Sequence, residues 1–270
     1  MPAMPDAAHS ISVRFERVAP LVESARAAGI DLEKLFASLD LPPQLLEGGR
    51  NEFISLADYY RLQNRLSILI GDETLHLSSR QLLPGSTDFV LSHLTDCENL
   101  YEVMSVVAKS YNLLHGGQFN QVEKKRNSID YLIDDRNFPY VGVSAPEEIY
   151  FQCECILIFL HCLLMVISSE ARDTIRSLAI CRPSPGGDCG HLGYWDAPIR
   201  FGSDVYRVSF DRDAAMLRIK MPSPEALTAN AVYQMIVETV AGKHAAFGKA
   251  NSVAARVRDA LARGIVEQPD

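Results

Sequence analysis

The sequence lacks the excess of positive charge that a protein needs to bind the phosphate backbone of a nucleic acid. Its 270 residues contain 26 Lys and Arg against 34 Asp and Glu, which gives a formal net charge of −8. This acidic balance excludes the chain as a whole from the class of phosphate-backbone binders.

Cysteine is too scarce for a fold held together by disulfides. The chain has six Cys, and three of them lie in one apolar stretch, where a thiol packs as a small apolar group. Residues Met1 to Ser10 have neither a basic start nor an apolar run, so we expect no secretory signal peptide. We therefore expect a reducing, cytoplasmic location.

No complete catalytic motif is present. The sequence has no Gly-x-Ser-x-Gly, no phosphate-binding loop and no His-Glu-x-x-His, and the glycine-rich segment 184–188 lacks the Lys-Ser/Thr pair of a phosphate loop. Cys181, Cys189 and His191 could in principle bind zinc, but no second Cys pair completes the ligand set. We expect no catalytic residues, no metal and no cofactor.

The most informative feature that is present is an apolar stretch near the middle of the chain. Residues 149–167 are interrupted only by Gln152, Glu154 and His161. A helix that is apolar on every side must be covered on every side, so we predict a central buried helix. A membrane span is the alternative, but an ionisable residue at mid-bilayer costs roughly 2.5–3.5 kcal/mol, which favours burial in protein.

The start of this helix is indicated by Ser144 and Glu147, which have the spacing of a capping box, with Pro146 in the first turn. Elsewhere the patterns predict an N-terminal helix, a hairpin, a pair of strands and a C-terminal helix. In that order, these elements span Val13–Ala28, Gln118–Asp134, Ile199–Phe201 with Val205–Phe210, and Pro224–Ala241. Asp31 and Ser55 are predicted to begin two further helices, and Gly71 to end the second of them.

The order of these elements predicts an α+β fold, in which a small antiparallel or mixed sheet packs around the long buried central helix. A helical N-terminal section precedes this α+β body. The predicted boundaries are a loose tail (1–12), the N-terminal section (13–71), the body (72–222), a C-terminal helix (223–245) and a linker (246–270).

Two polar-aromatic clusters are candidate ligand contacts. Tyr150, Glu154 and His161 share one stripe of the central helix, with the last two roughly 10 Å apart along its axis. They are too distant to pair directly but could face one cavity. Tyr111 and His115 lie where a helix leads into the hairpin, a possible pocket mouth. The alternative is that these groups serve packing and bond to the backbone, as buried polar groups usually do.

Several segments resemble a known family. They read Gly-Ile-Asp-Leu at 29–32, Leu-Asp-Leu-Pro at 39–42, Arg-Asn-Glu-Phe-Ile at 50–54 and Ala-Pro-Ile-Arg-Phe-Gly at 197–202. In this spacing they resemble the N-terminal effector domain of AraC-type transcription regulators, in the arabinose-binding-like branch. Residues 251–264 are similar to the approach to that family's first DNA-binding helix-turn-helix.

The resemblance implies a domain that senses a small-molecule effector and forms a homodimer. Because the apolar helix is expected to be buried in protein, we expect no contact with a membrane. It also implies that DNA is bound only through a C-terminal helix-turn-helix domain, which we expect this truncated chain to lack. Residues 224–241 are the expected dimer or domain contact. Two other hypotheses remain open: a dimerisation module that binds no ligand, and a small-molecule enzyme that uses Glu154 and His161.

Overall fold

The computed structural model describes residues 11–47, 52–142, 145–184 and 189–242. Its helices are α1 (Ala19–Ala27), α2 (Leu32–Ser38), α3 (Leu56–Ile70), α4 (Ser86–Ser92), α5 (Leu100–His115), α6 (Pro146–Ile167), α7 (Arg212–Ala215) and α8 (229–242). Its strands are β1 (Ser12–Arg14), β2 (Phe53–Ser55), β3 (Asn120–Lys124), β4 (Ser128–Ile133), β5 (Ile175–Ala179), β6 (Ile199–Arg200) and β7 (Tyr206–Asp211). The α+β class predicted from the sequence is confirmed.

Local capping signals set the ends of the N-terminal helices. The Asp31 carboxylate accepts a hydrogen bond from the Lys34 backbone N–H at 3.0 Å, and the Ser55 hydroxyl accepts one from Asp58 N–H at 3.0 Å. Helix α3 ends at Gly71, whose φ of 76° places it in the left-handed region that glycine adopts without strain. The predicted starts at Asp31 and Ser55 and the stop at Gly71 are confirmed.

The predicted helix over Val13–Ala28 is wrong in its first part. Ser12–Arg14 is a strand that pairs antiparallel with β2, with Val13 opposite Ile54. Val13 is almost fully buried in this pairing, and a 3-10 turn separates the strand from α1. Pro20 lies in the first turn of α1, where a backbone N–H would have no partner within the helix, so its missing N–H costs no hydrogen bond. This position favours a helix start at Ala19.

A five-stranded sheet forms the body, in the order β3-β4-β7-β5-β6. The β3–β4 hairpin has the predicted pairing, whereas the predicted pairing of Ile199–Phe201 with Val205–Phe210 is wrong. Strand β6 pairs in parallel with β5, and β7 lies between β4 and β5. Both edges of β7 are thereby hydrogen-bonded, and its alternate side chains, Tyr206, Val208 and Phe210, point into the core.

Helix α6 is the centre of the core. It is the one helix of the described residues that is long and apolar enough to cross a membrane, and 67% of its most apolar window is buried inside the protein. The Tyr60 hydroxyl of α3 donates to the Cys155 carbonyl of α6 at 2.8 Å, which ties the N-terminal section to it. The predicted buried central helix is confirmed.

The ends of two predicted helices differ from the structure. The N-cap of α6 is Ala145, which makes no side-chain cap, and Ser144 of the predicted capping box lies outside the described residues. The predicted helix Pro224–Ala241 is divided: Pro224–Ala226 is a 3-10 turn, and α8 begins at residue 229. The predicted tail up to Ser10, most of the glycine-rich segment, and the linker also fall outside the described residues.

Candidate functional site

A cavity of about 440 Å³ lies between α6, α3, α5, the β3–β4 hairpin and α8. This volume lies within the range of roughly 300–1,000 Å³ that is typical of small-molecule sites. Most of its wall is apolar or aromatic. The buried and partly buried side chains of this wall include Tyr60, Val107, Phe119, Tyr131, Ile133, Phe138, Phe159, Leu160, Leu163 and Tyr233.

One end of the cavity carries polar groups from the last turns of α5. The hydroxyls of Tyr111 and Thr87 lie 2.9 Å apart, and burial raises the pKa of Tyr111 to about 12. Burial also lowers the pKa of His115, so that its imidazole is neutral at pH 7. The Nδ1 atom of His115 is buried and has no hydrogen-bond partner among the described residues.

Acidic side chains, and no Lys or Arg, occur among the described residues that line this cavity. The acids are Glu73, Asp88 and Asp135. Glu73 accepts hydrogen bonds from Gly85 N–H (2.7 Å), Thr87 N–H (2.9 Å) and the Thr87 hydroxyl (2.6 Å). The site therefore has a negative balance of formal charge.

Asn112 fixes this end of α5 to the hairpin. Its Oδ1 accepts from the backbone N–H groups of Phe119 (2.9 Å) and Asn120 (2.7 Å), and its Nδ2 donates to the Asn120 carbonyl at 2.7 Å. Gly116, with φ 71°, ends the helix between them. Asn112 therefore fixes the last turns of α5, which carry Tyr111 and His115, to the start of strand β3.

Glu154 lies elsewhere, at the centre of a buried charge cluster. Arg182 donates from Nε to Oε1 and from Nη2 to Oε2, both at 2.9 Å, and His191 Nε2–H donates to Oε2 at 2.7 Å. Burial by itself would raise the pKa of Glu154, but the bonds from His191 and Arg182 outweigh it and hold that pKa below the ordinary value. The Tyr150 ring packs on the Arg182 guanidinium at 5.6 Å.

His161 has a third environment. Its Nδ1 lies 2.7 Å from the Tyr194 hydroxyl and its Nε2 lies 3.4 Å from the Ala171 carbonyl oxygen. Its ring packs beside Trp195, at 5.5 Å between centroids, and lines a separate, more polar cleft of about 500 Å³. Among the described residues, Glu154 and His161 therefore have different partners.

The structure thus divides the five candidate ligand contacts. Tyr111 and His115 lie together in the 440 Å³ cavity, Tyr150 and Glu154 belong to the charge cluster, and His161 faces the second cleft. His191, considered above as a zinc ligand, is turned to Glu154. Among the residues that the structure describes, no three His, Cys, Asp or Glu side chains form a group able to hold a metal ion.

Sequence reasoning missed most of the cavity wall. Six residues of α6 line the cavity: Cys153, Cys155, Ile156, Phe159, Leu160 and Leu163. The last four have the 0, 3, 4, 7 spacing of one helix face. The same spacing can be found in the sequence. It does not single out these residues as a cavity wall, because the neighbouring faces of α6 are equally apolar.

A partly open, mainly apolar cavity of this volume has the size and lining of a small-molecule site. Residues 29–219 match the family model described as the arabinose-binding domain of AraC transcription regulator, N-terminal. The chain belongs to this family of effector-binding regulatory domains, which are generally not enzymes, and the resemblance noted from the sequence is confirmed. No curated protein matches the chain.

Proposed function

We propose that this chain is the ligand-sensing and dimerisation domain of a cytoplasmic AraC-type regulator, and that its effector binds in the 440 Å³ cavity. Family membership supports the regulatory role. The observation that carries the choice of site is the partly open, mainly apolar cavity, in which Tyr111 and His115 supply polar groups at one end. Glu154, Tyr150 and His161 are not included in this proposed site.

The position of α8 supports a way to transmit binding. Tyr233 and Ala229 of α8 line the cavity together with residues of α3, α5 and α6. A ligand that binds one position of α8 more tightly than another shifts the protein toward that position. The free energy of this shift equals the difference between the two binding free energies, which is on the order of 1–3 kcal/mol for typical coupled sites. We propose that α8 carries this bias toward the regulator's DNA-binding domain.

Helix α8 is also our proposed dimer contact. Leu227 and Val240, two apolar residues of the segment expected to dimerise, are buried in the core of the single chain. Ala231, Met235 and Val237 are only partly covered and remain for a partner. Light scattering across a dilution series tests this: Met235→Glu should weaken a dimer, whereas a dimer unaffected by Met235→Glu would contradict the assignment.

A thermal-shift screen of the 270-residue chain against metabolites tests effector binding. A ligand at 100 times its Kd should add about 2.7 kcal/mol to the free energy of unfolding. Leu163→Trp, inside the cavity, and Ile156→Trp, at its partly exposed wall, should each abolish the shift. Leu113→Trp is the control, because Leu113 is 78% exposed on α5 and does not line the cavity.

Two outcomes would contradict the proposal. If no metabolite in a broad collection stabilises the wild-type chain, the domain is not a sensor and the hypothesis of a ligand-free module replaces it. If a stabilising ligand keeps its full effect in both cavity variants, the effector binds elsewhere.

A further inference from the structure

Building on the proposed function, we infer the chemical class of the effector: a largely apolar, aromatic molecule without negative charge, which makes a hydrogen bond to His115 Nδ1. The structure assigns neither a sugar nor a carboxylate to this cavity. Charge, saturation of the polar groups, and the composition of the wall support this inference independently.

The charges that line the cavity disfavour an anionic effector. Glu73, Asp88 and Asp135 line the cavity, and none of its described lining residues is Lys or Arg. Burial lowers the pKa of His115, and the positive charge of Arg80 lowers it further. The Arg80 side chain is nevertheless exposed and does not line the cavity. An anion buried without a cationic partner loses its hydration and gains repulsion from the acids, so a carboxylate or phosphate ligand is strongly disfavoured.

Several buried or partly buried polar side chains of the wall are already engaged, which argues against a sugar. The Thr87 hydroxyl bonds to Glu73, the Ser67 hydroxyl donates to the Asn64 carbonyl, and the Asn120 amide is held by Asn112 and Tyr131. A sugar presents a hydroxyl on almost every carbon, and each buried hydroxyl needs a partner. Among the described lining residues, the amides without a hydrogen bond are Gln63 and Asn64 on α3 and the exposed Asn230 on α8, so the buried interior supplies few free partners for a sugar.

The wall favours an aromatic body. Phe119 and Phe138 pack edge to face at 4.9 Å between ring centroids, and Phe159 and Tyr233 do so at 5.4 Å. Both pairs line the cavity from different elements, the first pair near the hairpin and the second between α6 and α8. A flat ring system can contact both pairs with edge-to-face or offset geometry.

His115 supplies a polar anchor. Its Nδ1 is buried without a partner in the described structure, while its ring is held between Tyr111 (6.2 Å) and Phe138 (5.1 Å). A buried nitrogen left unpaired is unfavourable, and a hydroxyl or amine of the ligand can satisfy it without displacing another bond.

A matched set of probes tests the charge and the anchor on the 270-residue chain. The probes are 1-naphthylmethanol (neutral), 1-naphthylmethylamine (cationic), 1-naphthoate (anionic) and naphthalene, with L-arabinose as the sugar, and affinity is measured by fluorescence titration or calorimetry. We expect the alcohol and the amine to bind at least tenfold more tightly than 1-naphthoate, and L-arabinose to show no binding. Leu163→Trp and Ile156→Trp should abolish binding of both, whereas Leu113→Trp should not.

The anchor is tested by two substitutions at one position. His115→Phe should weaken binding of 1-naphthylmethanol about two- to tenfold and leave naphthalene unchanged, because only the alcohol loses a hydrogen bond. His115→Asn, which places an amide near the former Nδ1, should restore much of the loss. Equal effects of His115→Phe on the alcohol and on naphthalene would overturn the anchor.

The failure of this inference is distinguishable from failure of the proposed function. If 1-naphthoate or L-arabinose binds as tightly as the alcohol, or if none of the naphthalene probes binds, the inferred class is wrong. In that case an anionic or sugar metabolite whose stabilisation disappears in Leu163→Trp would still support the sensor. If no compound of any class gives a stabilisation that depends on the cavity variants, the proposed function itself is wrong.

Discussion

Replacing Glu154 by Gln removes the negative charge from the buried cluster that this residue forms with Arg182 and His191. The Arg182 side chain is only 6% exposed, so in the variant its guanidinium keeps a buried positive charge without a counter-charge. Breaking a buried ion pair from one side typically costs about 3–5 kcal/mol. Because Gln keeps the size of Glu and one acceptor oxygen, we expect a loss near the lower end, about 3 kcal/mol.

Urea unfolding followed by circular dichroism measures this loss as a lower midpoint at an unchanged slope. Glu147→Gln is the matched control, since Glu147 lies on the same helix but is exposed, and it should leave the midpoint nearly unchanged. The double variant Glu154→Leu with Arg182→Met removes both charges and should be less destabilised than Glu154→Gln alone.

The pH dependence of the same measurement gives an independent check. The folded-state pKa of Glu154 lies below its ordinary value of 4.5, because the bonds from His191 and Arg182 outweigh the opposing effect of burial. Its stabilising contribution is therefore complete above pH 4.5 and is lost as the pH falls through the folded-state pKa. The difference between wild type and Glu154→Gln should shrink in that window. A loss below about 1 kcal/mol at pH 7 would refute the structural role of the cluster.

Substitutions at three further positions follow from the fold. Ser55→Ala removes the N-cap of α3 and should cost about 1 kcal/mol in urea unfolding; an unchanged midpoint would show that this cap does not contribute. Asn112→Ala leaves two backbone N–H groups of the α5–hairpin turn without their acceptor and should cost about 2–3 kcal/mol, with Asn112→Asp less harmful because it keeps an acceptor; equal losses would exclude this explanation. Burial lowers the pKa of His115, so the unfolded chain takes up its proton first and stability should fall as the pH drops below 6.5; His115→Asn should flatten that slope, and an unaltered slope would contradict the assigned burial.

Local signals in the sequence determined the elements. Asp31, Ser55 and Gly71 were correctly predicted as helix ends, because a cap is satisfied by residues three or four positions away. Alternation of apolar and polar residues determined the β3–β4 hairpin, whose partners are neighbours in the chain. The composition of residues 149–167 determined that α6 is buried, since an apolar surface on every side has to be covered.

Only the tertiary structure decided how distant elements meet. Strands β6 and β7 follow each other in the sequence, yet each pairs with a partner further away, because open sheet edges compete for the same hydrogen bonds. The position of Ser12–Arg14 in a strand depends in the same way on β2, about 40 residues later.

The candidate site shows the same division. Its polar end, at Tyr111 and His115, was indicated by the sequence because a helix end next to a hairpin is a local feature. The wall was not, since Tyr60, Phe159 and Tyr233 come from three helices far apart in the chain. The sequence of a helix that is apolar on all faces does not indicate which face borders a cavity. It also does not indicate that Glu154 pairs with Arg182, which lies 28 residues later. Side-chain packing among distant segments determines both.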